Sequence, residues 1–513
     1  MGKKTYFIAA LILFIGVAIR CTHLFLIDFV HEPFRLGGLF IAFADEIASH
    51  NFRLPVTIPY YSSEGIPYAY PPLGFYVEAV LLKIFPNQIF AIANVLPPVI
   101  SILALGLAAR FFHAWAGDWD LRSLSALTAY ALLPNAFFNQ IEAAGLAEAF
   151  GSLALIVYFM LIFAYQQKNN LTYALYAGLG LALCVISSPG SALGATLVSL
   201  AFALDILLSV RWEQKAQPYL RLLLVGITGI ALSAPYWFSV AVNHGMDIFF
   251  TPVGMQYEVN GETALLGKLQ YSWFTYSAIQ QDGVYFWSAA ILLGIGWLIW
   301  KRKFFLPLTF LILFSVPREN AWLTAFPAAW LISYGVTDVL VPIVKSLSAL
   351  NMPVKLRILQ VSFGFIIFSM ILQAFELINL QVRSENWKLE SAKIEALREV
   401  REIIPSSAPV IVLGNGGLRE WSPYLLQREV LNTEFGLEWQ PDEYRQIIAV
   451  NEALDKAKNW QDVADIIQLS EEQNQVYVIV DPAQLPEGFN MADGPFLITM
   501  KTPALQVGVL ELP

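Results

Sequence analysis

Long apolar runs separated by short polar connections dominate the chain. Runs near the length that crosses a bilayer as a helix, roughly 17 to 25 residues, fall at about 5–27, 88–109, 123–141, 147–165, 171–187, 192–210, 219–241, 284–300, 304–317, 321–341 and 356–380. The pattern predicts a polytopic α-helical membrane protein of about eleven spans. Two shorter stretches interrupt it inside the first connection. Leu73 to Phe85 is apolar for only about 13 residues and carries Glu78 and Lys83, too short to span comfortably. Counting it as a span would invert every later connection. In Gly37 to Asn51, Leu39, Phe40, Phe43 and Ile47 recur at helical spacing, while Asp45, Glu46, Ser49 and His50 take the other face. Both stretches read as interfacial helices lying on the membrane surface, joined by a Tyr/Pro-rich turn.

From about residue 383 the rhythm becomes mixed and charged. Glu385 to Ile404 reads as an amphipathic helix, Pro409 to Leu413 and Gln475 to Val480 as buried strands, and Asp442 to Lys458 and Asp462 to Leu469 as helices between them. A transmembrane domain over 1–380 is therefore expected to be followed by a small soluble α/β domain over 381–513.

Basic residues orient the spans. Lys3 and Lys4, Arg110 and Arg122, Lys168, Arg211 with Lys215 and Arg221, Lys301 to Lys303, and Lys345 with Lys355 and Arg357 occupy every second connection. Those connections face the cytoplasm. The alternate ones, 28–87, 140–147, 188–191, 242–283 and 317–320, face outward together with the C-terminal domain. The first run follows two lysines and lacks a small-residue cleavage site, so it reads as an uncleaved signal anchor. A multi-pass plasma-membrane protein with a cytoplasmic N-terminus is expected.

Composition agrees: 57% of residues are apolar, 14% are charged, and the mean hydropathy is +0.57. A net charge of -9 excludes nucleic acid as partner, since its binding depends on Lys and Arg neutralising phosphates. Cys21 and Cys184 both lie in apolar runs, so no disulfide framework is expected. The five histidines are scattered without a metal-ligand spacing. No cofactor is implied with certainty, a divalent cation such as Mg or Mn being the one left open.

Candidate chemistry gathers in the outward connections. Asp28, His31 and Glu32 follow the first span, either as polar residues marking the water boundary or as a general base or metal ligand at the surface. Asn139 to Glu148 forms a second acid-bearing turn. Within it, Glu142 and Glu148 either serve the N-terminus of the next helix or join the first acids around one outer cavity. Pro317-Arg318-Glu319-Asn320 is an ordinary charged turn or a phosphate contact. The 242–283 loop, with Tyr257, Glu258, Glu262, Lys268 and Tyr271, is long enough for a lid. Tyr60, Tyr61, Tyr68 and Tyr70 suit an interfacial aromatic belt or stacking on a sugar ring. The glycines of PVIVLGNGG at 409–417 lack the full dinucleotide-binding spacing and need only mark a tight strand-to-loop turn.

Taken together, these residues resemble a known family. A first span ending in Arg20, an acid-bearing first loop, Leu54-Pro55 followed by Tyr70-Pro71-Pro72-Leu73, the second turn at Glu142 to Glu148, the late Pro317-Arg318 and an outer C-terminal domain with Arg419-Glu420-Trp421-Ser422-Pro423 and Glu438-Trp439 resemble the GT-C membrane glycosyltransferases. The protein O-mannosyltransferases and the aminoarabinose transferases are the relatives in view. The resemblance implies transfer of a hexosyl or pentosyl group from a polyprenyl-phosphate sugar donor to a lipid, glycan or protein acceptor, with inversion, at the outer side of the bilayer. It implies Glu32, with Asp28 second to it, as the base, His31 standing where the family has the first acid of a pair. Glu142 or Glu148 would be the second acid, Arg318 would meet the lipid phosphate, and Tyr70 would line the site. A transporter or an envelope-assembly component is the alternative. Transport is disfavoured because the middles of the spans carry almost no charge, with Asp205 the main exception.

Overall fold

The computed structural model describes residues 2–209, 216–251, 286–316, 318–346, 352–457, 459–470, 475–484 and 494–511. The expected lid at 242–283 falls mostly on 252–285, outside the described residues. The first helices are α1 (Gly2–Cys21), α2 (Gly38–Ser49), α3 (Leu73–Ile84), α4 (Ile89–Ala116), α5 (Leu121–Leu132), α6 (Leu146–Lys168), α7 (Leu171–Ser187), α8 (Pro189–Ser209) and α9 (Ala216–His244).

All eleven apolar runs contain helix, but their lengths differ. Among the described residues seven helices are long and apolar enough to cross a membrane: Lys3–Phe25, Ile89–Ala116, Ala143–Lys168, Pro189–Ser209, Ala216–His244, Ala321–Ser346 and Gln360–Val382. Three other apolar helices, α7, Phe286–Trp300 and Phe305–Phe314, are shorter. The run at 123–141 becomes only the 12-residue α5, capped at its start by an Asp120/Ser123 capping box. It ends at Leu132, two residues before Pro134, which has no N–H to continue the ladder. Three 3₁₀ turns, Pro134–Ala136, Asn139–Ile141 and Ala143–Gly145, lead from there into α6.

Arg20 closes the break that Pro134 opens. Its guanidinium is fully buried and donates from Nη1 to the Ala131 carbonyl at 3.3 Å, from Nη2 to the Ala136 carbonyl at 3.2 Å, and from Nε to Ser101 Oγ at 3.1 Å. A cation is thus spent on carbonyls orphaned at a helix end. Elsewhere small residues let helices approach: a Cβ at Gly294 would collide with the Leu331 carbonyl, and one at Gly335 with that of Ala290.

The C-terminal segment carries a four-stranded sheet. With the short hairpin β1 (Thr57–Ile58) and β2 (Ile66–Pro67) placed in the first loop, its strands are β3 (Val410–Leu413), β4 (Gln475–Val480), β5 (Leu497–Lys501) and β6 (Gln506–Glu511), in the order β3-β4-β6-β5. β3 and β4 are parallel, with Ile411 opposite Val478, and the other pairs are antiparallel. Alternation along the strands divides the side chains between two cores. Ile411, Val476 and Val478 pack with Trp460 and Ile467. Val410, Val412, Ile479 and Val507 instead join Leu39, Phe43, Phe75 and Trp421 in a core continuous with the first loop.

The apolar side of α2, expected to lie on the membrane surface, packs into that shared core. α2 packs against α3 on one side and the helix Gly416–Leu426 on the other, and most of its residues, Ile41, Ala44 and Ile47 among them, are buried. The face that sequence periodicity left to water stays open, with Asp45, Ser49 and His50 exposed, while the apolar residues of α2 pack with the C-terminal segment. Tyr61 and Tyr68 are likewise buried, not arrayed as a belt.

Candidate functional site

The first loop and the C-terminal segment hold each other by exchanged helix caps. Glu420, from the helix Gly416–Leu426, sends its carboxylate to the start of α2. There Oε2 accepts from the Gly37 and Gly38 N–H groups at 3.0 and 2.9 Å, and Oε1 from the Leu39 N–H at 2.9 Å. These are the orphan donors of a helix N-terminus, the natural receptor for an anion. In return, Glu32 Oε1 accepts from both the N–H and the hydroxyl of Ser391 at 3.1 Å, at the start of the helix Ser391–Ile403. Trp421, fully buried, donates from Nε1 to the Arg35 carbonyl at 2.9 Å. Gly37 is required at this seam, since a Cβ there would strike Ala143.

Arg35 adopts a left-handed backbone at φ 65°, uncommon for a residue with a side chain. Its Nη1 lies 3.0 Å from Glu142 Oε2, and both side chains are largely buried. The Leu36 carbonyl accepts from the Ala144 N–H at 2.8 Å, tying the first loop to the second acid-bearing turn. Burial pushes the Glu142 carboxyl up to about 7, with Arg35 opposing and Glu420 reinforcing the shift. Burial likewise raises Glu420 to about 6 against the pull of its three backbone donors.

Glu148 stands in the first turn of α6, close enough to Glu142 and Tyr70 to act on both electrostatically. Its Oε2 is buried and has no hydrogen-bond partner among the described residues. Tyr70 packs among Phe40, Phe75 and Trp439 at centroid distances of 5.4, 5.7 and 6.0 Å. Burial first, then Glu148 and Glu438, hold the Tyr70 phenol above its usual range. Glu438 is itself pushed up by burial. The result is a cluster of carboxylates and aromatic rings between the first loop, α6 and the C-terminal segment, with Arg35 at one side.

The residues singled out from sequence divide into two groups. Glu142, Glu148 and Tyr70 come together in this cluster. Asp28 and His31 do not join it: Asp28 Oδ2 and His31 Nδ1 lie 2.9 Å apart with both side chains more than half exposed, and this hydrogen bond lowers the Asp28 carboxyl. Glu32 is spent at the domain seam, its backbone carbonyl also accepting from Asn94 Nδ2 at 2.7 Å. Arg318 opens the 3₁₀ helix Arg318–Thr324, and its side chain lies outside the described residues. Sequence reading passed over Arg35 altogether and noted Glu420, Glu438 and Trp439 only as part of a likeness. The one local signal was Arg35 just before Gly37-Gly38. Among the described residues no three His, Cys, Asp or Glu side chains form a metal-ligating group.

No family model and no curated relative matches the sequence. Solved structures do. ArnT from Cupriavidus metallidurans bound to undecaprenyl phosphate aligns over 98% of this chain and 97% of its own, at 12% identity and a TM-score of 0.60. The oligosaccharyltransferase AglB from Archaeoglobus fulgidus, in complex with an inhibitory peptide and a dolichol-phosphate, aligns over 93% of this chain and 69% of its own, at 14% identity and a TM-score of 0.55. The arabinofuranosyltransferase AftD from Mycobacteria aligns over all of this chain and 40% of its own, at 11% identity and a TM-score of 0.52. With ArnT aligned over nearly the whole of both chains, the chain has the GT-C fold that these structures share.

Proposed function

We propose that the chain is a membrane glycosyltransferase that moves a sugar from a polyprenyl-phosphate donor to a lipid, glycan or protein acceptor at the outer face of the plasma membrane. The observation that carries this reading is the near end-to-end likeness to a structure holding undecaprenyl phosphate, in a chain where Glu142, Glu148, Glu420 and Glu438 gather where its first loop meets its C-terminal segment. In the reaction the acceptor oxygen bonds to the anomeric carbon and the bond from that carbon to the phosphate oxygen breaks. The electron pair leaves with the polyprenyl phosphate, and the acceptor proton passes to a carboxylate. Attack opposite the leaving group inverts the anomeric centre.

Glu148 is the base in this scheme, because it combines a deep position with an oxygen free of any described partner. Arg35 suits the leaving phosphate, a planar guanidinium beside the acids, with Arg318 a second such group as the family likeness implies. Glu32 acts at one remove by holding the C-terminal segment in place, and Asp28 is a surface residue. The purified chain in lipid discs, supplied with radiolabelled polyprenyl-phosphate sugars, tests the scheme. Wild type should consume one donor, Glu148→Gln should lose at least a hundredfold in rate, and Asp28→Asn should stay within twofold. Equal activity of the Glu148 variant and wild type would remove Glu148 from the chemistry. No consumption of any donor would defeat the transferase reading.

A further inference from the structure

The turn Leu437–Trp439 takes the C-terminal segment into the membrane domain. Gly436 precedes it at φ 82°, where a Cβ would also strike Ile66. Gln440 follows it, reaching the Gly65 carbonyl from Nε2 at 3.5 Å. Trp439 packs against the buried cluster of Ala69, Tyr236, Val240 and Ile248, which joins the first loop to α9. Its ring stands nearly perpendicular to that of Tyr70, at 82°. Glu438 beside it and Glu148 opposite both act on the Tyr70 phenol. All four side chains keep part of their surface open. Among the described residues neither Glu148 nor Glu438 has a cationic partner, and Glu148 Oε2 has no hydrogen-bond partner.

Glu438 already accepts from the backbone N–H groups of Gly436 and Glu438, and Glu148 Oε2 has no partner among the described residues; carboxylate oxygens keep further acceptor capacity, and vicinal sugar hydroxyls supply donors in pairs. The Tyr70 and Trp439 rings add apolar surface for the C–H face of a pyranose or furanose ring. An acidic sugar would bring a further carboxylate beside these two acids, with no cation paired to either among the described residues to offset it, where like charges repel. Resting on the transferase reading, we propose that Glu438 and Trp439 complete, with Tyr70 and Glu148, a subsite that grips the transferred sugar and selects uncharged sugars over acidic ones. The C-terminal segment thereby supplies specificity as well as cover.

The test uses the full chain in lipid discs with hexosyl polyprenyl phosphates and their hexuronosyl counterparts, which differ only at C6, measuring donor binding and transfer separately. Wild type should bind the best neutral donor at least a hundredfold more tightly than its uronosyl partner. Glu438→Gln should weaken neutral-donor binding about tenfold and narrow the discrimination at least tenfold. Trp439→Ala should weaken binding similarly, with Trp439→Phe recovering most of it, a rescue that a misfolded variant would not show. Binding and discrimination unchanged in Glu438→Gln and Trp439→Ala would overturn the proposal, as would failure of wild type to bind any neutral donor. Selective binding without transfer would leave the subsite standing and overturn the transferase reading instead.

Discussion

Replacing Glu420 by Gln keeps the shape of the side chain and removes what the start of α2 requires. Three N–H groups, of Gly37, Gly38 and Leu39, point at two carboxylate oxygens at 2.9 to 3.0 Å. A glutamine has one acceptor oxygen, so at least one of these donors faces an amide NH₂ and stays unpaired, at about 1 to 3 kcal/mol. Loss of the charge at the helix N-terminus removes up to about 2 kcal/mol more. Against this, the carboxyl is raised from 4.5 to about 6, so keeping it ionised in its buried place already costs about 2 kcal/mol, which Gln avoids. The net weakening of the seam is about 1 to 3 kcal/mol. Opening of the C-terminal segment away from the first loop should therefore increase about 5- to 150-fold. Hydrogen exchange at neutral pH reads this directly, as faster exchange in α2 and in the helices Ser391–Ile403 and Gly416–Leu426, with the spans unchanged. Exchange in those three helices within twofold of wild type would refute the reasoning and show that the shared apolar core alone docks the segment.

Glu142 gives a pH dependence of defined sign. Below 4.5 the carboxyl is protonated folded and unfolded. Between 4.5 and its folded value of about 7 the native state keeps a proton that the unfolded chain releases, so stability falls as pH rises through that window, by at most about 3 kcal/mol. Thermal scans from pH 5 to 7.5 should show this slope together with the smaller one of Glu420, and Glu142→Gln should reduce it; an equal slope in the variant would assign the effect elsewhere. For Arg20, substitution by Leu strands the Ala131 and Ala136 carbonyls where α5 ends, costing about 2 to 4 kcal/mol, less whatever removal of a buried charge returns. Thermal aggregation of the detergent-solubilised variant should begin several degrees lower, and an unchanged onset would mean that water or a neighbouring group satisfies those carbonyls.

Most of the helical architecture is written locally. Each apolar run is helical, because a chain segment with no polar partner in lipid must satisfy its backbone internally. The strands at 410–413 and 475–480 and the helices Pro441–Lys456 and Trp460–Ser470 follow from local periodicity too, whereas the helix Gly416–Leu426 read only as a turn. Helix lengths are less legible: hydropathy carried the third run on to residue 141, whereas Pro134 stops α5 at Leu132. The site was legible in part. Glu142, Glu148 and Tyr70 stood out as polar residues in outward connections, and the fold brings them together. Asp28 and Glu32 carried the same local signal and went elsewhere, one to the surface and one to a helix cap.

What only the tertiary structure decided is whatever depends on residues 382 positions apart meeting, as Gly38 and Glu420 do. Periodicity along α2 reports one apolar face and one polar face, and it says nothing of which protein surface the apolar face meets. Nor can it say that Arg35, in a left-handed turn, will face Glu142, or that a glycine-enabled turn will set Glu438 and Trp439 beside Tyr70. By itself the sequence determined which segments favour lipid and which acids lie outside it, since those preferences are properties of single residues and their neighbours. Which acids share one cluster was fixed by packing, because the electrostatics of a carboxylate depend on what lies within a few ångströms in space.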